Sequence, residues 1–141
     1  MHKNILLPVD LSDPATSDKV LAAALELAGP ETTLHVVSVL PTFGYAQVAG
    51  YFCADFEKKA LLHLGEELTS WVNANVPEQV HVKAHVLHGS IYHEVLTAAK
   101  TLHVDLIVIG AHRPELKDYF LGPNAARIVQ HATQSVYVVR N

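Results

Sequence analysis

The chain of 141 residues has a single cysteine, Cys53, so it cannot close an internal disulfide. A lone thiol also cannot build a thiolate-rich zinc site. Charge is scarce and unbalanced: ten Lys and Arg stand against fourteen Asp and Glu, a formal charge of −4. That sign argues against wholesale attraction to phosphate polymers, and nucleic acid is not expected as a partner. Long apolar runs are missing too. A membrane-spanning helix needs roughly 18 apolar residues, and Glu26 interrupts the best candidate, Val20 to Ala28. Met1-His2-Lys3-Asn4 leads only into Ile5-Leu6-Leu7 before Pro8 and Asp10, too short for the apolar region of a signal peptide. The expectation is a cytoplasmic protein in a reducing compartment, without membrane insertion.

What is present is core material. Half of the residues are hydrophobic, too many for disorder, and the length suits one domain over residues 1–141. Apolar runs of strand length alternate with segments of helical spacing, the pattern of an α/β domain. Five strands are expected: Asn4 to Val9, Thr33 to Leu40, Gln79 to Leu87, Asp105 to Ile109 and Ser135 to Val139. Four helices are expected between them. The first is capped by Asp13 with Pro14 at its first position and stops at Gly29-Pro30. The second carries Leu61, Leu64, Leu68 and Val72 on one stripe, with Trp71 as a core residue, and ends before Pro77. The third has Ile91, Val95, Ala98, Ala99 and Leu102; the fourth has Ala125, Ile128, Val129 and Ala132. Pro41 to Ala54 lacks periodicity and reads as a mobile or partner-facing loop.

Parallel strands joined by right-handed crossovers put helices on both faces of the sheet. In Val80 to Val86 one face is apolar and the other carries His81, Lys83 and His85, which suits an edge strand. Val136-Tyr137-Val138-Val139 is apolar on both faces. As the last element it is expected at the opposite edge, where an uncovered strand invites pairing with a second copy and a homodimer. The alternative is a central strand covered within the monomer.

Ligands of open α/β sheets bind beyond the carboxyl ends of the strands, where successive connections leave in opposite directions. Strand one is followed by Pro8-Val9-Asp10-Leu11-Ser12, and Asp10 either accepts from ribose hydroxyls or satisfies the turn into the first helix. Strand four is followed by Gly110-Ala111-His112-Arg113-Pro114, and Leu121-Gly122-Pro123-Asn124-Ala125-Ala126-Arg127 opens the last helix. Glycine admits close backbone approach, a helix N-terminus offers N–H donors and Arg113 adds a cation, a plausible phosphate site. The other reading is a strand end, a helix start and a solvated arginine. The full P-loop pattern is absent.

Other constellations fail on geometry. His81 and His85 lie roughly 13 Å apart along a strand, too far to share one ion, and read as solvated edge histidines with His88. No Gly-x-Ser-x-Gly elbow accompanies Ser12 or Ser90, and Cys53 has no CxxC partner. No catalytic constellation and no metal site are expected.

Taken in order, Ile5-Leu6-Leu7-Pro8-Val9-Asp10-Leu11-Ser12, Leu34-His35-Val36-Val37-Ser38-Val39, Gly89, Asp105 to Gly110, Leu121 to Ala126 and Ser135 to Arg140 resemble the universal stress protein family, above all its small bacterial F/G-type branch. The resemblance covers nearly the whole chain. It implies a Rossmann-like five-stranded parallel sheet of order 3-2-1-4-5, similar to the adenine nucleotide alpha hydrolases, and dimerisation through the last strand. It further implies ATP or AMP between strands one and four, with Mg²⁺ left open. Carried over by position, Asp10 takes ribose, the Val36 backbone takes adenine, and Gly110 and Gly122 take phosphates. Pro8, Val9, His112, Arg113, Pro123, Asn124 and Ala125 complete the expected site. Arg113 replaces the second glycine of the family's phosphate pattern. Pro123 replaces its terminal Ser or Thr and offers neither a hydroxyl nor an amide hydrogen.

Two functions follow from the resemblance and its departures. The first is a stress protein that binds an adenine nucleotide with little or no turnover. The second is a dimeric interaction module with an empty crevice and an unknown protein partner.

Overall fold

A computed structural model describes residues 2–41, 51–111 and 122–140. In chain order the elements are β1 (His2–Pro8), α1 (Pro14–Leu27), β2 (Ala28–Leu40), α2 (Tyr51–Asn75), β3 (His81–His88), α3 (Ile91–Thr101), β4 (Leu106–Gly110), α4 (Gly122–His131) and β5 (Ser135–Val139). The strands form one five-stranded parallel sheet of order β3-β2-β1-β4-β5. Both sequence-predicted edges are therefore edges.

Alternation along the central strands feeds two cores. Ile5, Leu7 and Val9 point to one face with Leu34, Val36, Leu106 and Val108, where Val20, Leu21 and Ala24 of α1 and Leu68 and Val72 of α2 cover them. Leu6, Val37, Ile107 and Ile109 point to the other, beneath α3 and Ile128 of α4. At about 25 cal/mol per Å² of apolar surface removed from water, these fully buried aliphatic side chains are the main stabilising term. On β3, Val82 and Val86 pack toward the core while His81 and Lys83 are exposed, as an edge strand requires.

Three local expectations need correction. β2 starts at Ala28, five residues before Thr33, so Gly29-Pro30 lies in the strand, where the register to β1 shifts between His2 and Asn4. Pro fits there because its missing N–H falls at an irregular strand start. α2 begins at Tyr51, so the end of the supposed Pro41–Ala54 loop is helical; residues 42–50 lie outside the described residues. Trp71 is half-buried at the margin of the core, because the core-facing stripe of α2 passes through Leu68 and Val72.

The crossovers after β1 and β4 leave on opposite faces, α1 with the first core and α4 with the second. That reversal at the carboxyl ends of β1 and β4 is the kind of place where open α/β sheets take ligands.

Candidate functional site

β1 and β4 pair through Ile5–Leu106 and Leu6–Ile107. Continuing that register brings Val9 level with Gly110 and Asp10 level with Ala111, on strands about 4.8 Å apart. Val9 extends β1 past Pro8, its N–H donating to the Val37 carbonyl at 2.8 Å. On the other side the Ala111 N–H donates to the Val139 carbonyl at 2.8 Å. Pro8, Val9 and Gly110 are buried at these two strand ends, while Asp10, one residue further along, is half-buried.

The turn that holds Asp10 follows from its own composition. Oδ1 of Asp10 accepts from the Ser12 N–H at 3.0 Å and the Ser12 hydroxyl at 2.6 Å. The Asp10 carbonyl accepts from the Asp13 N–H at 3.0 Å and from the buried Ser17 hydroxyl at 2.8 Å. Asp13 then caps α1 through the Thr16 N–H at 3.3 Å, with Pro14 in the first turn. Asp10 thus performs the turn role weighed against ribose binding. Its Oδ2 has no donor among the described residues, so the two roles are compatible.

On the β4 side, His112 and Arg113 lie outside the described residues. Gly122 is the first residue of α4, followed by exposed Pro123 and half-buried Asn124 and Ala125. Pro123 withholds one of the N–H donors that a helix start ordinarily offers an anion. Val36 is fully buried inside the sheet, with Leu7 and Ala84 as its register partners. Continuing the Pro8–Val37 register places Val39 level with Asp10, so the rim of β2 lies three residues beyond Val36.

One polar cluster escaped the sequence reading. His35, 5% exposed, meets His85 through Nδ1 and Nε2 at 3.1 Å, and its Nε2 meets Asn4 Oδ1 at 3.1 Å. The Asn4 amide nitrogen donates to the His103 carbonyl at 3.4 Å, which turns Oδ1 toward His35. His35 therefore donates from Nε2 and accepts at Nδ1 from His85. The rings stack with centroids 5.3 Å apart. Burial, the neighbouring imidazole of His85 and the charge of Lys83 hold His35 below the ordinary histidine pKa; burial and Lys83 do the same for His85. His85 is thus not a solvated edge histidine: its register partner is Val37, and its ring packs diagonally against His35, two positions away on the neighbouring strand. The signal available in sequence was a histidine on each of two strands that adjoin in the expected order, His35 and His85. No group of three or more metal-ligating side chains occurs among the described residues.

The universal stress protein family model matches residues 1–140. The chain belongs to the universal stress protein family. It is 35% identical to universal stress protein G of Escherichia coli O157:H7 over 144 aligned positions, covering 99% of this chain and 100% of that protein. Among solved structures, the hypothetical protein MJ0577 superposes with a TM-score of 0.83 at 20% identity, covering 100% of this chain and 97% of that one. A universal stress protein of Archaeoglobus fulgidus in complex with dAMP gives a TM-score of 0.60 at 22% identity, with 96% of each chain covered. A universal stress protein in complex with cAMP gives 0.63 at 15% identity, covering 98% of this chain and 96% of that one. These likenesses carry the fold. No helix among the described residues is long and apolar enough to cross a membrane.

Proposed function

We propose that this universal stress protein binds an adenine nucleotide, ATP or AMP, in the crevice between β1 and β4 and acts as a cytoplasmic regulatory protein with little turnover. The observation that carries the reading is the juxtaposition of Asp10, with one carboxylate oxygen not used by its turn, and the Gly110–Ala111 strand end. Asp10 accepts from a ribose hydroxyl through Oδ2. Gly110, with no side chain, admits the ligand close to the backbone. Gly122, Asn124 and Ala125 at the start of α4, with His112 and Arg113 before it, receive the phosphates. That two structural neighbours hold dAMP and cAMP supports an adenine nucleotide as the ligand class. The whole chain acts as one domain. Two copies pair through the open edge of β5, where Tyr137 is 45% exposed.

Pro123 favours a second reading, an interaction module of the same fold with an empty crevice, because it removes an amide and a hydroxyl where phosphate would lie. Denaturing freshly purified protein and identifying released small molecules by mass spectrometry separates the two. Release of an adenine nucleotide supports the first reading. No release, together with no binding of ATP or AMP up to millimolar concentration with or without Mg²⁺, supports the second.

A further inference from the structure

Away from the crevice, the outward stripe of α2 has a charge order of its own. Asp55, Lys58, Lys59, Leu62, Glu66 and Thr69 are all exposed. At about 100° per residue they fall within about 60° of Leu62. Leu62 is 62% exposed, the most of any large hydrophobic residue among the described residues. Beside it lies an open groove of about 770 Å³ lined by Leu61, Gly65 and Val86 among others. Gly65 sits mid-helix, where glycine weakens a helix relative to alanine. Packing within the monomer does not demand it, since a Cβ there would make only an ordinary 3.7 Å contact with Val86. The missing side chain leaves a hollow next to the exposed leucine.

We propose that α2 docks antiparallel against α2 of a second copy of this chain, about a twofold axis at Leu62. Asp55, Lys58, Leu62, Gly65 and Thr69 recur at alternating three- and four-residue steps, the spacing of a helix–helix seam. Antiparallel about Leu62, positions equally far before and after it come level. Lys58, four residues before Leu62, then lies within one residue's rise of the Gly65 hollow of the second copy and on the same flank, and Lys59 lies likewise beside Glu66 of the second copy. Symmetry repeats each contact. A parallel arrangement would set Lys59 across the seam from Lys58 of the second copy and part it from Glu66, so the charge order selects the antiparallel one. The sheet order separates this surface from β5, and the proposal is independent of nucleotide binding.

The test is disulfide cross-linking of the full chain carrying Leu62→Cys and Cys53→Ser, with Asn73→Cys and Cys53→Ser as the control. The Leu62 variant is expected to form covalent dimers at least about tenfold faster than the control. Lys59→Glu or Glu66→Lys added alone slows that rate about tenfold, and the two together return it to within about threefold of the parent. Circular dichroism confirms that these surface variants are folded. A Leu62 rate no higher than the control, the outcome if a different protein occupies this face, overturns the proposal. So do single reversals without effect, or a double reversal that does not recover.

Discussion

The two polar clusters of the central strands differ in where their hydrogen bonds end. The Asn4–His35–His85 cluster is closed around His35: both of its ring nitrogens and both ends of the Asn4 amide are answered within the chain, down to the His103 carbonyl. The Asp10 cluster is half closed. Oδ1 and the main-chain carbonyl serve the turn, while Oδ2 has no donor among the described residues. A closed buried network contributes to stability and makes partial disruption costly. A half-closed one at a strand end holds a carboxylate in place for something else. Substitution in the first should change stability without changing ligand affinity, and substitution in the second should do the reverse.

The largest effect is expected for His35→Ala, which leaves a cavity and strands Asn4 Oδ1 and the His85 ring. Urea unfolding should show a loss of about 2 to 4 kcal/mol, with the affinity of the surviving folded protein for nucleotide unchanged. A loss below about 0.5 kcal/mol would mean that water replaces the network without penalty. Next comes Val138→Asp, which places a charge on the β5 edge; sedimentation should show the β5-paired dimer lost, and a persistent dimer would move that interface elsewhere.

The pH dependence is smaller and has a definite sign. Both histidines have lowered pKa values in the fold, so near-neutral protein holds them uncharged. The unfolded chain binds protons first, at about pH 6.5. The contribution of the pair is therefore complete above about pH 6.5 and is lost as pH falls through the lower folded values. Wild-type stability measured from pH 7.5 downward should decline in that window, and His35→Phe should flatten the decline. Equal slopes would assign the acid sensitivity to other groups. The smallest effect is expected at the crevice from Pro123→Ser, which restores an amide and a hydroxyl near the outer phosphates. ATP affinity should rise a few-fold more than AMP affinity by calorimetry; equal changes would place Pro123 away from those phosphates.

Much of the fold was legible because its signals are local. Alternating Val, Ile and Leu marked the strands, Asp13-Pro14 marked the start of α1, and the polar face of Val80 to Val86 marked an edge. The opening of α2 at Tyr51 was not legible, since Phe43, Gly44, Tyr45, Gly50, Tyr51 and Phe52 show no helical period. The places of Asp10 and Gly110 at the ends of β1 and β4 were readable too. How far Val36 lies from the end of β2 was not legible, because that depends on cross-strand register, with Pro8 opposite Val37. His85 was misread for a related reason: its burial depends on His35, which lies fifty residues away in sequence.

The most direct test of the account is a calorimetric titration of nucleotide-free protein with ATP and AMP, comparing wild type with Asp10→Ala. Losing a hydrogen bond to the charged Oδ2 costs about 1.5 to 3 kcal/mol, and losing the turn bonds costs about 1 kcal/mol of stability. The account predicts saturable binding by the wild type and at least about tenfold weaker binding by a variant that remains folded. Equal affinities would remove Asp10 from the site and contradict the crevice between β1 and β4 as the place where nucleotide binds.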